Sequence, residues 1–135
     1  MSPEVAREVS EWRRKAEIDL AAAASLLQGE RSFPSVAVFL CQQAAEKMLK
    51  AYLTWRATRF GPVHDLRRLG ELCAAHDPDF AELREAGEVL TPYAVAVRYP
   101  GRAPDPAPDE AEAALRLAKR VVEFVAERLP AGPSP

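Results

Sequence analysis

The sequence predicts an all-α protein, an antiparallel (up-down) bundle of four main helices plus one short helix. Apolar residues recur at spacings of three and four along most of the chain, the signature of amphipathic helices. Proline punctuates that pattern: of 12 prolines, four fall between Pro100 and Pro108 and three close the chain from Pro130. No useful stretch shows the strict apolar–polar alternation of a strand, and the 25 alanines favour helix because alanine has the best intrinsic propensity.

The first helix is expected from Pro3 to Gln28. Val5, Val9, Trp12, Ala16, Leu20, Ala23 and Leu27 form its stripe, Pro3 suits a first turn, and Gly29 suits a C-terminal cap. A second helix is expected from Pro34 or Ser35 to about Ala57, with Ala37, Cys41, Ala44, Met48, Ala51 and Trp55 inward and Gly61-Pro62 ending the segment. A short helix follows from His64 to His76, with Asp65 placed as a cap and Leu66, Leu69, Leu72 and Cys73 as its stripe. The fourth is expected from Pro78 to Arg98, with Leu83, Ala86, Leu90, Tyr93 and Val97 inward. Pro92 must kink or split it, since proline removes a donor and clashes with the preceding turn. Asp109 and Glu112 then resemble a capping box that opens the last helix, whose stripe is Ala111, Leu115, Ala118, Val122, Val125 and Leu129. Short loops between these segments favour the up-down arrangement.

A length of 135 residues suits a single domain, 1–135, with a core over about 5–129 and a frayed tail at 130–135. The 18 basic and 20 acidic residues leave a net charge of −2, which argues against a dedicated duplex-DNA binder but leaves room for a local basic patch. Fourteen of the basic residues are arginine, a bias that composition alone explains. Cys41 and Cys73 sit in apolar stretches without the spacing of a disulfide framework or zinc site, so a cytoplasmic location is expected. Met1 to Arg14 lacks the apolar centre of a signal peptide. The longest apolar runs fall far short of the ~20 residues that span a bilayer, and no membrane association is expected.

Chemistry could sit in three places. On the second helix Gln42, Gln43, Glu46, Lys47 and Lys50 interrupt the apolar pattern. Gln43, Glu46 and Lys50 share a face, and the plainer reading is a solvated surface with a Glu46–Lys50 pair worth ~0.3 kcal/mol. The functional reading is a polar seam for a phosphate or a partner. At the end of the fourth segment Tyr93, Arg98 and Tyr99 combine a guanidinium with stacking surfaces, which suits a nucleotide; equally, arginine complements a helix C-terminus and tyrosine fills core rims. His64-Asp65 and Cys73-His76-Asp77 suggest a metal only superficially, because the third and fourth ligands are missing. No metal or other cofactor is expected. There is no glycine-rich phosphate loop and no nucleophile elbow.

The run Phe39-Leu40-Cys41-Gln42-Gln43-Ala44-Ala45-Glu46-Lys47-Met48-Leu49-Lys50-Ala51 resembles the central signature of HEPN domains (higher eukaryotes and prokaryotes nucleotide-binding). His64-Asp65-Leu66 and Arg98-Tyr99-Pro100 continue the resemblance in the family's order, and Ala16-Glu17-Ile18-Asp19-Leu20 resembles its first helix. The resemblance spans about Val9 to Leu129 and implies a helical bundle, a homodimer, and a partner protein that is a minimal nucleotidyltransferase, as in toxin–antitoxin systems. It carries over Gln43, Glu46, Lys47, Lys50, Arg98 and Tyr99 as ligand or phosphate contacts, with an ATP-like nucleotide as the ligand. Asp19, His64, Asp65 and Tyr93 are its supporting polar residues.

Many HEPN relatives are metal-independent RNases that use arginine and, four to six residues on, histidine. Here the positions after Arg98 hold Ala103, Pro104 and Asp105. Arg59 and His64 have the right spacing, but Gly61-Pro62 keeps them off a common helix face. RNA cleavage is therefore not favoured, and Arg98 and His64 are only weak catalytic candidates. Three functions are weighed: a nucleotide-binding accessory domain without activity of its own, a dimeric RNase toxin, and a dimerisation or interaction module.

Overall fold

The computed structural model describes residues 1–95, 100 and 104–131. Within them lie five α-helices and no strand: α1 (Pro3–Leu26), α2 (Pro34–Trp55), α3 (Leu66–Ala74), α4 (Arg84–Leu90) and α5 (Pro108–Ala126). The all-α class follows directly. α2 is the central element, packing on α1, α3 and α5. Buried Met48, Leu53, Leu69, Leu90 and Val125 fill the core between them. No helix among the described residues is long and apolar enough to cross a membrane.

Local chemistry sets the helix ends. Ser2 caps α1 by accepting from the Val5 amide at 3.2 Å, and Pro3 takes the first helical position, where a missing N–H costs nothing. Gly29 turns the chain with φ +92°, a conformation open to glycine. α2 likewise starts at proline but stops before Gly61-Pro62. The Thr58 amide donates to the Leu53 carbonyl at 2.9 Å and the Ala57 amide to that of Thr54 at 3.1 Å, a Schellman closure. The residue at its left-handed position is Ala57, with φ 53°. An L-side chain there costs about 1–2 kcal/mol relative to a right-handed residue. Ala57→Gly is therefore expected to raise stability by about 0.5–1 kcal/mol after the glycine's extra unfolded-state entropy is subtracted, read as a higher melting temperature.

Asp65 caps α3 as expected, accepting from the Arg67 amide at 2.9 Å. Its side chain also takes two bonds from the Arg67 guanidinium, at 3.0 and 3.1 Å, which hold its carboxyl below the usual range.

The fourth segment, expected over Pro78–Arg98 as a helix kinked or split at Pro92, is more broken than that over its described residues, 78–95. It consists of a 3-10 turn (Pro78–Leu83), α4, and a second 3-10 turn (Thr91–Ala94). The second break is the one demanded by Pro92. The first was not anticipated: Pro78 and the Asp77 side chain, which accepts from the Asp79 amide at 3.0 Å, nucleate a tight turn before α4 begins. Phe80 and Leu83 are buried from it. The Thr91 hydroxyl donates to the Gly87 carbonyl at 2.6 Å and accepts the Leu66 amide at 3.1 Å, tying the end of α4 to the start of α3.

The capping box expected at Asp109 and Glu112 does not form. Ala107 is the cap residue, without a side-chain bond, and Pro108 occupies the first helical position. Asp109 thus falls one residue inside the helix, where its side chain accepts from the adjacent Glu110 amide. Both cysteines are free and buried, and burial pushes their thiols up to about 12.

Candidate functional site

The polar face of α2 is not the solvated surface of the plainer reading. Gln42, Glu46 and Lys50 stand at i, i+4 and i+8, and they are only 0%, 4% and 5% exposed. Burying a carboxylate and an ammonium costs several kcal/mol per ion unless each finds partners. Here they do. Lys50 Nζ donates to Glu46 Oε2 at 3.0 Å, and Gln42 Nε2 donates to Glu46 Oε1 at 3.1 Å and to the His64 carbonyl at 3.0 Å. Gln43 Nε2 closes the string on Gln42 Oε1 at 2.7 Å. Among the described residues, no buried side-chain nitrogen or oxygen lacks a hydrogen-bond partner.

Two aromatic rings cover the ammonium. Lys50 Nζ lies 5.6 Å from the ring centre of Trp12 on α1 and 5.4 Å from that of Phe60 in the α2–α3 loop. The two rings meet edge to face at 6.3 Å. The loop is thus pinned twice, by Phe60 and by the Gln42 bond to the His64 backbone.

His64 is where the string meets solvent. Its Nδ1 lies 3.0 and 3.1 Å from the two Glu46 oxygens, while its side chain is 66% exposed. An ionised carboxylate only accepts, so Nδ1 carries the proton in this contact and Nε2 is the nitrogen left for a ligand. Such an imidazole, oriented from behind by a buried carboxylate, can donate to a phosphate oxygen when charged or shuttle a proton.

The remaining sequence candidates are placed apart from this string. Lys47 Nζ donates to Asp19 Oδ2 at 2.6 Å, a partly exposed tie between α2 and α1. Asp65 is occupied by Arg67. Tyr93 donates to Glu110 Oε2 at 2.6 Å; burial and that carboxylate push its hydroxyl up. Arg98 and Tyr99 lie outside the described residues. Cys73 and His76 are engaged separately, Sγ with the Leu49 carbonyl at 3.9 Å and Nε2 with the Thr58 hydroxyl at 2.6 Å.

Sequence reasoning names Gln42 in the polar seam without making it a site residue, and it passes over Trp12 and Phe60 as parts of the site. The signal for Gln42 was present, because 42, 46 and 50 are spaced by four. Trp12 and Phe60 come from other elements, and only packing brings them to Lys50.

The model of the HEPN domain family matches residues 9–129. The chain belongs to the HEPN family. Solved structures agree with it. The crystal structure of TT1696 from Thermus thermophilus is 32% identical, with a TM-score of 0.72 over 90% of this chain and 98% of that one. That of ST0689, an archaeal HEPN homologue, is 25% identical, with a TM-score of 0.70 over 89% and 96% of the two chains. No curated protein matches the sequence. In this HEPN domain the string Gln42–Glu46–Lys50 falls within the stretch that resembles the family's central signature, and His64 opens the next.

Proposed function

We propose that this HEPN domain binds a nucleotide or polyphosphate at His64, as the accessory partner of a minimal nucleotidyltransferase in a two-component, toxin–antitoxin-like system, and that it does so as a homodimer. The observation that carries the reading is the exposed His64 imidazole, held through Nδ1 by the buried Glu46 carboxylate. In its charged form Nε2–H donates to a phosphate oxygen, a charge-assisted bond of the stronger kind. Lys47 on α2 is committed to Asp19 on α1, so the phosphate contact rests on His64, and Lys50 is enclosed and acts by holding Glu46 in place.

With ATP at about 100 times its Kd, the wild type is expected to gain about 2.7 kcal/mol, a rise of several degrees in melting temperature. His64→Ala is expected to lose that gain while its unliganded melting temperature changes little, because Glu46 keeps Gln42 and Lys50 as partners. Absence of any shift with ATP or polyphosphate at millimolar concentration overturns the reading.

The Glu46–His64 pair also favours a second reading, a metal-independent RNase acting as a dimer, since a carboxylate-oriented imidazole is the arrangement general acid–base cleavage uses. The same variant separates the two: this reading requires RNA cleavage in chelator-containing buffer that His64→Ala abolishes.

A further inference from the structure

A cavity of about 220 Å³ opens between α3, α4 and the first 3-10 turn, with Leu49 of α2, Phe80 and Leu83 among its walls. An apolar cavity of roughly 150 Å³ accepts a benzene-sized molecule. At about 220 Å³ this one has volume enough for a ring of that size with a short chain attached.

Two features distinguish it from a packing defect. The first is glycine. Gly70 and Gly87 both line it from helix interiors, where glycine costs about 1 kcal/mol relative to alanine. Neither is demanded by its surroundings: a Cβ at Gly70 would meet nothing within 4 Å, and one at Gly87 would make only ordinary contacts, the nearest at 3.6 Å. What the missing side chains preserve is open space.

The second is the charge at the mouth. Four charged residues line the cavity, but two are already engaged: Arg67 by Asp65 with two bonds, and Glu71 by Arg68 at 3.5 Å. Arg84 and Glu88 are exposed on α4, one turn apart, and no described residue forms an ion pair with either. Both line the cavity, a cation and an anion at i and i+4, and of the two only Glu88 also acts on a neighbouring charge, the Arg67 guanidinium.

We propose that this cavity binds the zwitterion of an apolar amino acid. The side chain enters between Phe80 and Leu83, the carboxylate takes the planar donor fork of Arg84, and the ammonium meets Glu88. Neither His64 nor the Glu46 string takes part, so the proposal stands apart from nucleotide binding.

The test is titration of the full chain with L-phenylalanine, followed by amide NMR. Saturable shifts at Gly70 and Gly87 are expected. Arg84→Gln, on the surface, is expected to weaken binding roughly tenfold or more, as are the probes 3-phenylpropionate, which lacks the ammonium, and phenethylamine, which lacks the carboxylate. Gly70→Leu is expected to abolish binding without lowering the melting temperature. The proposal is overturned if no shift appears by about 50 mM phenylalanine, a concentration that reveals even weak sites. Unchanged affinity in Arg84→Gln overturns it as well, as does 3-phenylpropionate binding as tightly as phenylalanine.

Discussion

Glu46→Leu is expected to cost about 3–5 kcal/mol of folding stability, because it strands the Lys50 ammonium inside the bundle. After that change Lys50 keeps only the faces of Trp12 and Phe60, and ring faces compensate a desolvated charge poorly. Lys50→Met should cost less. The stranded carboxylate still accepts from Gln42 and keeps its hydrogen-bond contact with the His64 ring. The double variant Glu46→Leu/Lys50→Met removes both charges and is expected to recover most of the loss, since apolar replacements of a buried pair are often neutral or better. Urea denaturation of the three variants checks this ordering. Equal, additive losses would show that water reaches the pair and that the two ions do not depend on each other.

Phe80→Ala is the second large effect, about 3–5 kcal/mol. Phe80 is the meeting point of three elements: its ring centre lies 4.5 Å from that of Tyr52 on α2 and 5.1 Å from that of Phe124 on α5. Truncation removes both ring contacts at once and enlarges the cavity between α3 and α4. The neighbourhood is held from outside by Arg128, which donates to Asp77 at 3.1 Å and stacks 3.5 Å from the Phe124 ring, so it cannot easily collapse to fill the space. Denaturant unfolding should show a reduced midpoint with an unchanged slope.

Much of this architecture is legible in the sequence because period and punctuation agree. Pro3, Pro34 and Asp65 each open a helix where they stand, and the stripes of α1, α2, α3 and α5 are their buried faces. The fourth segment misled because its apolar spacing continues across Pro78–Leu90, while the Asp77 cap and the packing of Phe80 tighten the first turns into 3-10 geometry. Periodicity sees the spacing but not the winding. Asp109 misled in a related way, since Pro108 claims the first helical position ahead of it.

At the site, the sequence identifies the residue types but not their environment. Glu46 and Lys50 have the spacing of a surface pair and form the expected contact, yet the contact is buried. What buries it comes from Trp12 and Phe60, residues distant along the chain, and local pattern carries no trace of them.

The polar string has a further consequence for how α1 and α2 align. Ala16 and Ala23 on α1, and Ala37, Ala44 and Ala51 on α2, are all buried. Such small side chains make smooth helix surfaces, over which one helix could slip past the other by a turn, about 5.4 Å, with little change in apolar contact. Lys47 on Asp19 and Lys50 beneath Trp12 mark the observed register, and one turn along α1 from Asp19 stand Lys15 and Ala23, neither of which can accept from Lys47. Charges that add little to net stability thus act as a vernier, selecting a single register for an interface whose alanines would accept several.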